Sequence, residues 1–302
     1  MIKGDLFGGG LNNMKQELAS LIAIAHETTK CIVLPRVRTE PSSARFIPFN
    51  SVIDIDKTLE KIGSDIQVVE ASPKPLYEYK FSKEFTMGKA KDIIRQHPYI
   101  HLRTRTLWHA QDWARTPIWY KLLDNCVLEE SLQEKVDNIL RRVGPFIAVH
   151  ARVEEDWEQF CATRKGYSLK QHFRNPEQIA EFVVKHPLTK QSKLKTILVL
   201  SGDSDYDVRE PFERRGYRVY MRSDFLRGRE HCYTVASALD FELAKSGSIF
   251  FGNSESTFSQ NICRLNPKNA YYNLDAKHIS TKTQKSVPSI RLYKKRRLWS
   301  NV

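Results

Sequence analysis

Pro145-Phe146-Ile147-Ala148-Val149-His150-Ala151-Arg152-Val153-Glu154-Glu155-Asp156-Trp157 is the stretch whose reading settles the class of fold. Its first five residues are apolar without alternation, the pattern of a strand buried on both faces of a parallel sheet. A histidine, an arginine and three carboxylates follow immediately, so they are delivered where that strand ends. In open α/β sheets ligands bind outside the carboxyl ends of the strands. A functional site is therefore expected from His150 to Trp157.

Toward the C-terminus the pattern repeats. Strands are predicted at 146–151, 195–201, 217–221 and 248–252, alternating with helical periods at 176–186, 205–215, 231–246 and 255–265. This βαβ rhythm predicts a parallel sheet with right-handed crossovers. Three loops then follow strands: His150–Trp157, Ser201-Gly202-Asp203-Ser204-Asp205, and Asn253-Ser254-Glu255-Ser256-Thr257-Phe258-Ser259. In the last loop, backbone N–H groups at a helix start near Thr257, with the Ser256 and Thr257 hydroxyls, suit an anion such as a pyrophosphate. The same residues fit simple helix capping by Ser254 or Ser256.

Toward the N-terminus, Glu129 to Arg142 predicts an amphipathic helix closed by Gly144-Pro145, and a domain boundary is placed there, giving domains 1–144 and 145–302. At the chain's start Gly4-Asp5-Leu6-Phe7-Gly8-Gly9-Gly10-Leu11-Asn12-Asn13 forms a glycine-rich loop. It leads into a helical period over Met14 to Lys30 and a short buried strand, Cys31-Ile32-Val33-Leu34-Pro35. The loop reads either as a pocket wall where backbone approaches a ligand or as a flexible turn. Ile66–Val69 and Ile100–Leu102 predict further strands, and the weakly patterned region from Arg36 to Met87 predicts irregular loops. Trp108, Trp113, Trp119 and Tyr120 suit either an acceptor groove, since sugars stack on aromatics, or core packing.

With 302 residues, 41% hydrophobic and 27% charged, the chain has the make-up of an ordinary globular protein of about two domains. Its net charge of +13 is uneven, because Lys285 to Val302 holds six basic residues and no acid, leaving +7 for the rest. That balance suits phosphate-bearing ligands without requiring nucleic acid. The basic tail reads as a solvated end, an anchor to an anionic surface, or a helix docking on the other domain. Five widely spaced cysteines with no Cys-x-x-Cys pair predict buried thiols in a reducing compartment. No stretch approaches the ~20 apolar residues of a membrane span. Met1 to Asp5 lacks the apolar core of a signal peptide, so a cytoplasmic protein is expected, lumenal only if a leader has been removed.

In combination these elements resemble the GDP-fucose O-fucosyltransferase-like glycosyltransferases. The resemblance rests on Gly9-Gly10-Leu11-Asn12-Asn13-Met14-Lys15-Gln16-Glu17-Leu18 followed by an apolar helix and Ile32-Val33-Leu34-Pro35. It rests equally on His150-Ala151-Arg152 as His-x-Arg, on Glu154 and Asp156 behind it, on Asp240 in Ala238-Leu239-Asp240-Phe241, and on the Ser/Thr turn after Gly252. Residues 36–140 carry none of it. It implies an α/β, GT-B type architecture: two Rossmann-like domains whose parallel sheets face a central cleft. It also implies inverting transfer of fucose from GDP-fucose to a hydroxyl of a glycan or protein acceptor, with no metal or other cofactor.

On that resemblance Arg152 stabilises the departing diphosphate, and Gly10, Leu11, Asn12, His150, Asp240, Ser254, Ser256, Thr257 and Phe258 bind the donor. Asp240 would take the guanine N–H edge. One branch of the family carries a Glu in the glycine loop as general base, where this chain has Gly8, Gly9 or Gly10. Asp5, Glu154, Glu155 or Asp156 could deprotonate the acceptor instead, or the diphosphate could take the proton. Glu154 and Asp156 could equally orient Arg152.

Three rival readings remain open at this level. Asp203-Ser204-Asp205 and Asp54-Ile55-Asp56 fit an Asp-x-Asp metal pattern and hence a metal-dependent transferase of another fold. The basic tail suits a nucleic-acid-binding module, and a nucleotide-binding scaffold without turnover would need the same cradle. A glycosyltransferase of the same fold using another nucleotide sugar is the nearest alternative.

Overall fold

The structure, a computed structural model, describes residues 1–4, 10–29, 31–40, 45–72, 74, 77–80, 87–103, 116–153, 155–163, 175–201, 208–226, 232–253, 256–266 and 269–271. The chain folds as two compact units. One comprises Met1–Asn138 with Arg229–Leu239, the other Ile139–Gly228 with Asp240–Val302. The single boundary expected after Gly144 stands beside a division at 138 and a returning segment at 229–239.

In the first unit the strands are β1 (Ile2–Gly4), β2 (Cys31–Val33), β3 (Arg36–Arg38), β4 (Phe46–Pro48), β5 (Ile53–Asp54), β6 (Gln67–Val69), β7 (Tyr77–Lys80), β8 (Ile100–Arg103) and β9 (Val127–Leu128). Five form a parallel sheet in the order β6-β2-β1-β8-β7, with Ile2 beside both Ile32 and Ile100. The central strand β1 is only three residues long, which is why no period marks it. Helix α1 (Leu11–Glu27) packs against β1 and β2 and is buried nearly all round, with Leu18, Leu21, Ile22 and Ile24 fully enclosed. A helix buried on every side belongs inside a domain, and this one takes Lys15 and Glu17 in with it.

Helices α2 (Ile55–Lys61), α3 (Met87–Gln96) and α4 (Pro117–Asn125) complete that unit, and α5 (Glu130–Val143) runs across the division at 138. Trp119 of α4 is core: its indole N–H faces Gln16 O at 3.3 Å and Ser20 Oγ at 3.2 Å on α1. Trp108 and Trp113 lie outside the described residues. The region expected to be irregular between 36 and 87 instead holds the antiparallel pair β3–β4, strand β5 paired with β9, and α2. Asp54 accepts the Lys57 N–H at 2.9 Å as the N-cap of α2, so this half of one Asp-x-Asp triplet serves a helix end.

In the second unit β10 (Ile147–His150), β11 (Thr196–Leu200), β12 (Arg218–Met221), β13 (Ile249–Phe251) and β14 (Ala270–Tyr271) form a parallel sheet in the order β12-β11-β10-β13-β14. Every residue of β10 is buried, as the unbroken apolar run requires. Alternation along the strand sends Ile147 and Val149 to one face, where they join Val199, Val219, Phe212 and Val183 in one core. Ala148 and His150 turn to the other. The helices are α6 (Glu155–Thr163), α7 (Pro176–Lys185), α8 (Pro187–Ser192), α9 (Arg209–Glu213), α10 (Tyr233–Ser246), which runs across the division at 239, and α11 (Thr257–Leu265). Helix α7 opens on a reciprocal cap, with Asn175 Oδ1 accepting Gln178 N–H and Gln178 Oε1 accepting Asn175 N–H.

Numbered within the unit, this sheet runs 3-2-1-4-5, a doubly wound order that reverses direction between β10 and β13. At such a reversal the connections leave on opposite faces and open a crevice at the carboxyl ends. The residues after β10 and after β13 flank that point.

Candidate functional site

In the second unit the candidate site grows from His150, the last residue of β10. Its ring stacks on Phe258 of α11, with centroids 4.4 Å apart at 29°. Phe258 is in turn seated edge-on against Phe241 at 5.5 Å. His150 Nδ1 lies 2.8 Å from Ser259 Oγ, which also accepts the Asn253 N–H at 3.1 Å. Thus the residues following β10 and those following β13 meet directly, on the helix-covered face that alternation assigned to His150.

Burial pushes the His150 pKa down, and the nearby Arg152 guanidinium adds to the push, to about 3. The imidazole is neutral across the physiological range and is a feeble proton acceptor. It can act by hydrogen bonding. Arg152, two residues on, lies over the indole of Trp157 with Cζ 4.8 Å from the ring centroid. Trp157, from the first turns of α6, is itself buried and gives the guanidinium a flat seat. Of the acids behind Arg152, Glu154 lies outside the described residues, as do the side chains of Glu155 and Asp156.

Ser256 is the residue preceding α11, and its side chain makes no capping hydrogen bond. Helix capping therefore does not use its hydroxyl, and the N–H groups of the first turn of α11 lack that acceptor. Thr257 is the first residue of the helix, and Ser254 lies outside the described residues. Asp240 stands on α10 with its carboxylate Oδ1 3.2 Å from Arg222 Nε, both groups largely buried. The contact between them is not an aligned hydrogen bond, and the pair is best taken as Coulombic contact. The carboxylate expected at a guanine edge thus comes with a cation that the sequence reading did not name.

Ser201 opens the second of the three strand-end loops singled out in the sequence. At the end of β11, one strand from His150, its hydroxyl is buried without a hydrogen-bond partner among the described residues. A buried orphan at a strand's carboxyl end is a signal only the coordinates reveal. Its neighbours Gly202 to Asp207 lie outside the described residues.

In the first unit, Gly10 precedes α1 without any side-chain cap, and Leu11 and Asn12 open the helix. Asn12 is buried and its Oδ1 has no hydrogen-bond partner among the described residues. The loop before Gly10 follows β1, where the sheet order turns back toward β8. That repeats within this unit the placement found after β10 in the other.

A sequence profile described as GDP-fucose protein O-fucosyltransferase matches residues 6–266. The chain belongs to this family. Among curated relatives, O-fucosyltransferase 38 of Arabidopsis thaliana is 24% identical over 174 residues, 52% of this chain and 33% of its own length. Rhamnogalacturonan I rhamnosyltransferase 1 of the same plant is 22% identical over 177 residues, 52% of this chain and 36% of its own. These matches span about a third of each relative's length. Among solved structures, POFUT1 in complex with GDP-fucose superposes with a TM-score of 0.64 at 14% identity, covering 90% of this chain and 96% of that one. NodZ α-1,6-fucosyltransferase co-crystallised with GDP gives 0.53 at 12% identity, over 87% and 91%. At such identities the likeness is one of fold, and both chains are covered almost throughout.

Among the described residues no helix is long and apolar enough to cross a membrane, and no group of three His, Cys, Asp or Glu side chains could hold a metal ion. None of the five cysteines forms a disulfide.

Proposed function

We propose that this protein is an inverting, metal-independent glycosyltransferase of GT-B type that moves fucose from GDP-fucose to a hydroxyl of a glycan or protein acceptor. The observation that carries the reading is the meeting of His150 with Phe258 at the reversal of the C-terminal sheet, with Arg152 beside it. It sets a guanidinium, a neutral imidazole and a helix start whose Ser256 side chain makes no cap in one unit at the edge where α/β sheets bind ligands. The family supplies the substrate class.

Chemically the step needs charge stabilised on the leaving diphosphate while an oxocarbenium-like sugar forms. Arg152 suits this, because its planar fork binds phosphate oxygens in pairs and cannot lose its charge. Neutral His150 adds a hydrogen bond without adding charge. Ser254, Ser256, Thr257 and Phe258 line the diphosphate, Gly10, Leu11 and Asn12 contact the donor, and Asp240, oriented by Arg222, reads the base. The proton of the acceptor goes to Asp5, Glu154, Glu155 or Asp156, or to the diphosphate itself.

One relative is named a rhamnosyltransferase, so a second reading keeps the reaction and exchanges the sugar. A thermal-shift panel of GDP, UDP and TDP and of their fucose and rhamnose conjugates tests both. Stabilisation by GDP and GDP-fucose above the others supports the first, and selective stabilisation by a rhamnose conjugate supports the second. Indifference to all of them overturns both. Transfer that persists in EDTA supports metal independence.

A further inference from the structure

Ser259 closes the Ser/Thr turn of the family resemblance without carrying a role there, yet it is completely enclosed and makes the shortest polar contact of His150. A serine hydroxyl has one hydrogen to give and two lone pairs. One lone pair takes the Asn253 N–H at 3.1 Å. Its hydrogen then needs an acceptor, and among the described residues His150 Nδ1, at 2.8 Å, is the one in reach. A neutral imidazole that accepts at Nδ1 carries its hydrogen at Nε2.

The backbone is shaped around this contact. A Cβ on Gly252 would collide with Ser259 Oγ and come within 2.7 Å of the Phe250 ring. Glycine at the end of β13 therefore clears the space into which the hydroxyl fits. Phe258, the residue before Ser259, covers the imidazole face, so two consecutive residues of α11 fix the ring, one by stacking and one by hydrogen bonding.

We propose that Ser259 is a positioning residue that locks His150 as the Nε2–H tautomer, so that the ring presents one fixed N–H donor to the anionic part of the nucleotide sugar. The ligand half of this statement rests on the proposed function; the tautomer half stands without it. Positioning matters here because a neutral imidazole offers either a donor or an acceptor at a given edge, and the wrong tautomer would turn a lone pair toward a phosphate or ribose oxygen.

The test uses the full chain labelled with ¹⁵N-histidine, read by long-range ¹H–¹⁵N correlation near pH 7.5 without nucleotide. The His150 signals are assigned by their loss in His150→Gln. The expected pattern is an unprotonated Nδ1 and a protonated Nε2. An Nδ1–H pattern, or a freely exchanging mixture, overturns the proposal whether or not the protein binds GDP. Calorimetric titration with GDP then compares variants. Ser259→Ala should disturb the ring pattern and weaken GDP binding about tenfold, the loss of one charge-assisted hydrogen bond, and Ser259→Thr should restore both. Unchanged ring signals and GDP affinity in Ser259→Ala would also overturn it. A wild-type protein that shows the expected tautomer but ignores GDP refutes the proposed function while leaving the tautomer lock in place.

Discussion

Acidification should expose His150 as a source of instability. In the folded chain its pKa lies near 3, because burial excludes water and Arg152 repels a second positive charge. The unfolded imidazole titrates near the ordinary 6.5. Above that value both states are neutral and the group has no effect. As pH falls from 6.5 toward 3 the unfolded state takes up a proton that the folded state refuses, so stability is lost across that window. At about 1.4 kcal/mol per pH unit, the loss is about 2 kcal/mol by pH 5 and about 3 by pH 4.

His186, whose pKa is also lowered by burial, acts in the same direction, so wild-type data alone would not isolate the effect. Replacing His150 with Gln removes the titrating group and keeps an acceptor for the Ser259 hydroxyl. Urea unfolding of both proteins at pH 8, 6.5 and 5, followed by circular dichroism, gives the difference. The variant should be the weaker at pH 8, and the gap should close by about 2 kcal/mol by pH 5. A gap that stays constant over this range would mean the ring is not held neutral, and the electrostatic account of the site would fail.

Other variants address separate parts of the argument. Trp157→Ala takes away the seat of Arg152 and should slow sugar transfer by roughly 3- to 30-fold, the worth of one cation–π contact, measured as kcat with saturating donor. Gly252→Ala forces a methyl against Ser259 and the Phe250 ring and should cost about 1–3 kcal/mol, read from the urea midpoint. Trp119→Phe keeps the packing on α1 but removes the indole N–H from Gln16 O and Ser20 Oγ, which keep their own hydrogen bond to each other, and should cost about 1 kcal/mol; an unchanged midpoint would show that this N–H adds nothing.

Much of the sheet framework could be read before any coordinates, because buried parallel strands announce themselves as short unbroken apolar runs. Ile147 to Val149, Thr196 to Leu200 and Ile249 to Phe251 are of this kind and fell within a residue or two of their predicted limits. Strand β1 is the counter-example. Ile2-Lys3-Gly4 has no length and no period, and its central place comes entirely from its neighbours. Between 36 and 87 the elements are two to seven residues long and paired across distance, as β5 is with β9, so local pattern carried little of them. A cap signal was present at Asp54, but the Asp-x-Asp spacing suggested a metal instead.

At the site, residue types and strand ends were legible, while partnerships were not. That Asp240 faces Arg222, and that Arg152 rests on Trp157, depends on packing between segments distant in sequence or on a side chain's direction after a turn. Ser259 stood in the quoted turn without a role of its own, since a serine in the first turn of a helix is commonplace until its hydroxyl is found against Nδ1.

The three residues of β1 bear on how the chain is made. During synthesis Ile2 to Gly4 leave the ribosome about a hundred residues ahead of β8, one of their two flanking strands. The middle of that sheet must wait, held by β2 and α1, while about a hundred residues emerge. Contacts so far apart along the chain make assembly slow, and the newborn N-terminal half would be a natural client for chaperones until Ile100 arrives.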